Sequence, residues 1–372
     1  MTEEARILPK QPRGSDPISE SHARYLSGMA FCICHISALE FWRSLDSSNR
    51  TRLLACVASR KMSALAPPFE KGARTGKVAI GVLEEALQDL SGGLSRPVHI
   101  LVPSESYRLR SESVIAHAHS NSYPKKSFCK ISEEWLVVVP ELAFVQHACK
   151  ASIVELLVVG AEITGSYAVE RDSLDGDIEG CGCGFVHSEP LTSLKKIQSY
   201  VDRVSGEHGV KNARRALRYI PENCASPMEA VLAILLHAPR SLGGYGLPKP
   251  CMNYRIDMSG SAKWLSAKTY YVCDLYWPQA KLCVEYDSNM FHTGPDRIAA
   301  DSARRTALAQ KGITVVSVTG NQIANSVEMD RTALLLAKRL GIRPRVFSYD
   351  YRLKQREFRK ELFASAGIAS RR

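Results

Sequence analysis

YYVCDLYWPQAKLCVEYD, residues Tyr270 to Asp287, reads as two strands joined by a tight turn. Both arms are apolar except for their acids: Asp274 sits inside Tyr-Val-Cys-Asp-Leu-Tyr-Trp, and Glu285 and Asp287 end Leu-Cys-Val-Glu-Tyr-Asp. Side chains alternate faces along a strand, so Glu285 and Asp287, two apart, share one face. Asp274 and Glu285 are 11 residues apart, a separation that suits a hairpin turning at Pro278-Gln-Ala. Such a hairpin brings Asp274 beside Glu285, and three carboxylates converge at the end of a sheet.

Like charges held together are costly unless something neutralises them. A divalent metal does so. Mg²⁺ takes one or two carboxylates with waters and phosphate oxygens in octahedral geometry. Bound there, it activates a water and stabilises charge on a phosphodiester in transit. The alternative is that the acids pair with arginines at a sheet edge, because acidic clusters are enriched at functional sites without being confined to them.

The flanks extend the hairpin into a domain. Ser226-Pro-Met-Glu229 is a capping signature with proline at the first helical position, and it opens a helix to about His237. The glycine-rich Leu242–Pro250 ends that helix. Strands are expected near Met252–Met258, Tyr270–Trp277 and Lys281–Asp287, then a polar helix Pro295–Lys311, a strand Ile313–Thr319 and a helix Ser326–Leu340. The order is helix, three strands, helix, strand, helix.

Charge divides the chain unequally. The formal net charge is +11, yet residues 1–210 carry 23 Lys+Arg against 25 Asp+Glu, whereas residues 211–372 carry 26 against 13. A basic half joined to a neutral one is the footprint of a polyanion-binding domain with a separate partner; the other reading is a solvated basic tail.

Ser-Pro-Met-Glu229, then Cys-Asp274-Leu-Tyr-Trp-Pro, then Val-Glu285-Tyr-Asp287 followed by His292, resembles the PD-(D/E)XK nuclease superfamily. Within it the pattern is most similar to the group of very-short-patch-repair endonuclease-like domains. Asp301-Ser-Ala-Arg304 on a helix and Gly312-Ile-Thr-Val-Val-Ser-Val-Thr319 continue it, and the resemblance covers roughly residues 221–342. It implies an α/β fold with a restriction-endonuclease-like αβββαβ(α) core and a mixed sheet, and a metal-dependent endonuclease acting on DNA with Mg²⁺ or Mn²⁺. Carried over by position, Asp274 and Glu285 are metal ligands and Glu229 an outer or second-metal carboxylate, unless Glu229 is an ordinary first-turn acid favoured by the helix dipole. Asp287 stands where the superfamily has a lysine that orients the attacking water. His292 is the candidate to share that work, or else a surface histidine after a strand. Arg304 and Arg305 are placed to contact phosphate or the acidic cluster, or lie on an exposed helix face; Gln322 is a further nucleic-acid-binding candidate. The departure at Asp287 keeps a second implication open, a catalytically silent DNA-binding regulator that retains the nuclease fold.

The first half reads as a separate small α/β domain. Residues 1–20 read as a disordered leader, 21–170 as the α/β domain, 171–220 as a linker with helices, 221–342 as the nuclease-like domain and 343–372 as a basic tail. Helices are expected at Ser37–Leu45 with Ser37 as N-cap, at Thr51–Met62, Val78–Leu90 and Ser152–Ile163, with strands at Val98–Val102, Glu112–His119 and Trp135–Val139. His35-Ile-Ser-Ala-Leu-Glu, Val98-His-Ile-Leu-Val-Pro103 and Trp135-Leu-Val-Val-Val-Pro-Glu-Leu-Ala143 resemble the core of abortive-infection type IV antitoxin regulators. This half is net negative and shows no basic recognition helix, so it is expected to contact a protein partner or self-associate rather than to carry the DNA contacts. His99, His117 and His119 read as strand residues rather than ligands. The 11 cysteines lie mostly in apolar stretches and include no Cys-x-x-Cys pair, so free thiols in a reducing compartment are expected. Cys181-Gly-Cys183 with His187 reads as a glycine-rich loop rather than a zinc site. No apolar run is long enough to span a bilayer, which leaves the cytoplasm as the expected location.

Overall fold

The computed structural model describes residues 31–55, 57–58, 94–102, 111–118, 123–132, 135–170, 184–204, 206–258, 268–287, 295–343 and 347–368. The leader 1–20, the helix expected at Val78–Leu90, His119, Cys181, Cys183 and His292 lie outside these residues. The fold is mixed α/β, and the chain divides into two compact units: Met1–Lys150 with Lys196–Lys211, and Ala151–Lys195 with Asn212–Arg372.

The first unit is built on six strands: β1 Phe31–Ile33, β2 Val57–Ala58, β3 Val98–Val102, β4 Val114–Ala118, β5 Phe128–Lys130 and β6 Trp135–Val138. Their order is β2-β5-β6-β1-β3-β4. β1 is parallel to β6 and antiparallel to β3, and β3 is parallel to β4. Trp135-Leu-Val-Val is buried throughout, the unbroken apolar run expected of a strand covered on both faces. Helices α1 (His35–Ser44) and α3 (Pro140–His147) pack together. The fully buried Trp42 of α1 donates its indole N–H to the Val138 carbonyl at 2.8 Å, tying that helix layer to the sheet. A second helix, α2 (Ser47–Ala55), stops short of the expected Met62, and Val57–Ala58 pairs with β5 instead. The first helix also begins at His35 and not after Ser37, whose hydroxyl accepts the backbone amide of His99 (3.0 Å) rather than capping a helix.

The second unit opens with α4 (Ile153–Ile163), capped by Ser152, whose side chain accepts the Glu155 amide. This helix, read from sequence as part of the first domain, packs here against α7 (Pro227–His237) and a C-terminal helix, α11 (Tyr349–Ser365). Gly160 lets the segment that precedes α7 lie close against this helix, since a Cβ there would run into the Ile220 side chain. β7 (Tyr167–Glu170) and β8 (Gly184–His187) form a two-stranded ribbon, and α5 (Leu194–Arg203) and α6 (Val210–Leu217) follow, each crossing between the units in sequence.

From α7 onward the order is helix, β9 (Cys251–Asp257), β10 (Tyr270–Trp277), β11 (Leu282–Asp287), α8 (Pro295–Gln310), β12 (Thr314–Thr319), α9 (Gly320–Ala324), α10 (Ser326–Arg339) and α11. The sheet runs β12-β11-β10-β9 and is mixed, with β11 and β12 parallel and the other pairs antiparallel.

Residues 343–372 were expected as a basic tail, yet most of them form α11. Tyr351, Gln355, Phe358 and Leu362 are buried along one stripe. Asp330 accepts from Tyr245 (2.7 Å), Gln355 (3.3 Å) and Arg352 (3.2 Å), and Arg359 donates to the carbonyls of Ile323 and Ala324. The stripe is half polar, so it reads as solvated until Asp330 and those two carbonyls are seen to satisfy it.

The described cysteines are all free thiols. Among the described residues no helix is long and apolar enough to cross a membrane.

Candidate functional site

The acids of the second unit are held by three local devices. The first is the start of α7. Ser226 accepts the Glu229 amide (3.2 Å) and Pro227 occupies the first helical position. The Glu229 carboxylate takes the Ser226 hydroxyl (3.0 Å), the Ala225 amide (2.9 Å) and the Asn253 side-chain amide (2.7 Å). Asn253 sits at φ 46° in β9, a left-handed conformation that asparagine tolerates better than most residues. From there it also donates to the Asn223 carbonyl at 2.9 Å. Glu229 is thus buried at the start of a helix, with three donors on its carboxylate. Ser226→Ala removes the cap and one of those donors. It is expected to cost about 1 kcal/mol, read as a lower urea midpoint with unchanged slope; an unmoved midpoint would show that the cap contributes nothing.

The second device is the hairpin. Pro278–Ala280 makes one turn of 3₁₀ helix, and Lys281 at φ 46° donates back to the Pro278 carbonyl. The ladder then runs Trp277–Leu282, Tyr276–Cys283 and Leu275–Val284. One step further, where Asp274 and Glu285 would face each other, the Asp274 carboxylate accepts the Tyr286 backbone amide at 2.8 Å. The acid therefore substitutes for a ladder carbonyl, which fixes its direction.

Burial pushes the Asp274 carboxyl up to about 7, with the charge of Glu229 adding to it and then that of Glu285; the Tyr286 amide and Arg304 pull the other way. Glu229 and Glu285 thus both act on Asp274, and Glu229 is its stronger charged neighbour.

The third device is α8. Arg304 pairs with Glu285 (2.5 Å), donates to the Val272 carbonyl (2.6 Å) and lies over the Tyr271 ring. The arginine pairing raised above as the alternative to a metal is therefore present at Glu285. Cys283 Sγ lies 3.6 Å from the same carboxylate oxygen, and Cys273 and Cys283 pack with Ala307 and Leu308 of α8. Hydrogen bonding to Cys273, then burial, holds the Cys283 thiol well above its usual range, so it is a neutral donor to Glu285.

The other candidates are less tightly engaged. Asp287 ends β11 opposite Thr319 and is exposed. Arg305 reaches Ser317 Oγ at 3.3 Å from an exposed position. Gln322 closes a capping box on α9: its side-chain oxygen accepts the Thr319 amide (2.9 Å) and hydroxyl (3.2 Å), and its own amide donates to Thr319 Oγ1. That oxygen is spent within the chain. Asn253 and the Tyr286 amide were not singled out from sequence; the only trace of the former is an asparagine inside a strand.

No family model matches the chain. No solved structure matches it either. Two proteins of Mycobacterium tuberculosis, uncharacterized protein MT2308 (strain CDC 1551 / Oshkosh) and uncharacterized protein Rv2248 (strain ATCC 25618 / H37Rv), are each 27% identical to it over 145 residues, 39% of this chain and 48% of each relative. The chain therefore spans about half the length of the curated relatives it matches.

Proposed function

We propose that the second unit is a metal-dependent endonuclease that hydrolyses phosphodiester bonds in DNA, on a restriction-endonuclease-like core of the PD-(D/E)XK kind. The observation that carries this reading is Asp274, a carboxyl raised to about 7 by burial and by two further acids while a backbone amide fixes its direction. Negative charge concentrated in this way suits a hard divalent cation, and oxygen donors suit Mg²⁺ or Mn²⁺ over softer metals. Asp274 and Glu285 are the residues that would hold the ion, with Glu229 as an outer charge whose oxygens already have protein donors. When bound, the ion supplies Lewis-acid stabilisation of phosphoryl charge and a more acidic water.

The chain's own residues then divide the remaining work. Tyr286 orients Asp274, and Asn253 with Ser226 orients Glu229. Arg304 neutralises Glu285 and is the group that must yield or share when a cation arrives. Asp287, at the superfamily's lysine position, is an exposed carboxylate able to accept a proton from an attacking water. Arg305 and the basic excess of residues 211–372 suit phosphate, which gives affinity without sequence information. The first unit, with its resemblance to antitoxin regulators, is proposed to contact a protein partner or a second copy.

A second reading is favoured by the Arg304–Glu285 pair: an acid already neutralised within the chain needs no metal, and the unit would then bind DNA without cutting it. Glu285→Gln separates the two. On the nuclease reading it retains binding to labelled duplex DNA and loses Mg²⁺-dependent cleavage. Wild-type protein that binds duplex and cuts with neither Mg²⁺ nor Mn²⁺ would leave the silent reading standing.

A further inference from the structure

A second donor cluster lies in the first unit, and its register places it. β1 runs antiparallel to β3 with Cys32 opposite Leu101 and Ile33 opposite Ile100, and the next amide, that of Cys34, donates to the His99 carbonyl at 2.9 Å. β3 runs parallel to β4 with Leu101 opposite His117. Residues 99 and 101 share a face, so His99 and His117 stand on one side of the sheet, beside the point where β1 gives way to α1.

His35 completes the cluster. It sits at φ 53°, an uncommon backbone region for a residue with a side chain. The Gln146 side-chain oxygen accepts its amide at 3.2 Å. Its ring stacks on His117 with centroids 3.7 Å apart and lies 5.6 Å from His99. His35 Nδ1 is 3.0 Å from Cys34 Sγ, and His117 Nε2 is 2.9 Å from His99 Nδ1. Donor atoms of Cys34, His35 and His117 all lie within 4.8 Å of one another. These half-buried imidazoles contact one another and a thiol.

We propose that the first unit binds a divalent transition metal of the Zn²⁺ class through Cys34, His35 and His117, with His99 orienting His117. One sulfur and two nitrogen donors match Zn²⁺ or Co²⁺, and a three-ligand set leaves a fourth position for water or a small ligand. The 2.9 Å contact from His99 is the outer hydrogen bond that sets the ring angle of a ligating histidine. Cys34 is a buried thiol that would lose its proton on binding. The site differs in kind from the oxygen-rich acids of the second unit and does not depend on the nuclease reading.

The test is titration of chelator-treated, full-length protein with Co²⁺ alone, followed by visible and near-ultraviolet absorption. One equivalent is expected to give a thiolate-to-cobalt charge-transfer band and the strong visible bands of four-coordinate Co²⁺, both displaced by Zn²⁺. Cys34→Ser is expected to lose the charge-transfer band. His99→Gln should keep it with about 10–100-fold weaker affinity. Cys283→Ser should change nothing, which separates this site from the Cys273–Cys283–Glu285 group. If Cys34→Ser does not fold, His117→Gln decides, with at least about 100-fold weaker Co²⁺ binding expected. A folded wild type without the band, a band that survives Cys34→Ser or vanishes in Cys283→Ser, or unchanged affinity in His117→Gln would overturn the proposal.

Discussion

Asp274→Asn is expected to remove Mg²⁺-dependent DNA cleavage, by at least about a hundredfold, while making the metal-free protein more stable above neutral pH. The two effects have opposite signs for one reason. Replacing a hydrogen-bonded partner of a metal ligand already costs about 10–100-fold in affinity or activity, so loss of the ligand itself sets that range as a floor. In the absence of metal, the same carboxylate is buried beside Glu229 and Glu285 and is costly to ionise. Asparagine keeps an oxygen for the Tyr286 amide, which Asp274 now accepts at 2.8 Å, and removes the charge. Thermal unfolding in EDTA near pH 8, beside a plasmid-cleavage assay, reads both. A variant that loses stability as well as cleavage would mark Asp274 as a structural acid.

The second large effect is on pH dependence. The Asp274 carboxyl lies at about 7 in the folded chain against 3.8 for the unfolded reference. A carboxyl raised by folding contributes stability that is fully present below the unfolded value and is lost as pH rises through the folded value. Without metal, wild type should therefore lose stability relative to Asp274→Asn between about pH 4 and pH 7, by on the order of 4 kcal/mol. Excess Mg²⁺ should recover much of this loss, because a ligand that binds the folded state alone stabilises it. Urea unfolding of both proteins across that window, with EDTA and then with Mg²⁺, supplies the comparison. A difference that stays flat with pH would mean that Asp274 is not held among uncompensated acids.

Much of the second unit was legible because its local signals agree. Ser226-Pro-Met-Glu fixed the start of α7, the Pro278-Gln-Ala turn fixed the hairpin, and alternation fixed which acids share a face. Side-chain chemistry across elements was less accessible. Nothing in the local sequence says that Arg304 closes onto Glu285, since that pairing depends on how α8 crosses β10 and β11. Gln322 looked available for nucleic acid but caps its own helix. Helix α11 was hidden by its composition: its buried stripe includes Gln355, and the buried Arg359 lies beside it, both satisfied only by distant partners. The first unit was harder still. Its short strands Phe31–Ile33 and Phe128–Lys130 offer three residues each, too few for periodicity to register. His99 and His117 read as ordinary strand residues because they lie 18 residues apart on neighbouring strands, and only the β3–β4 register brings their rings together.

The measurement that bears most directly on the acidic site is conversion of supercoiled plasmid by purified full-length protein in Mg²⁺ or Mn²⁺, against the same protein in EDTA. Nicked or linear product is expected with metal, none in EDTA, and none from Asp274→Asn with either metal. Folded wild-type protein that binds the plasmid and leaves it supercoiled in both metals, or cleavage undiminished in Asp274→Asn, would contradict it.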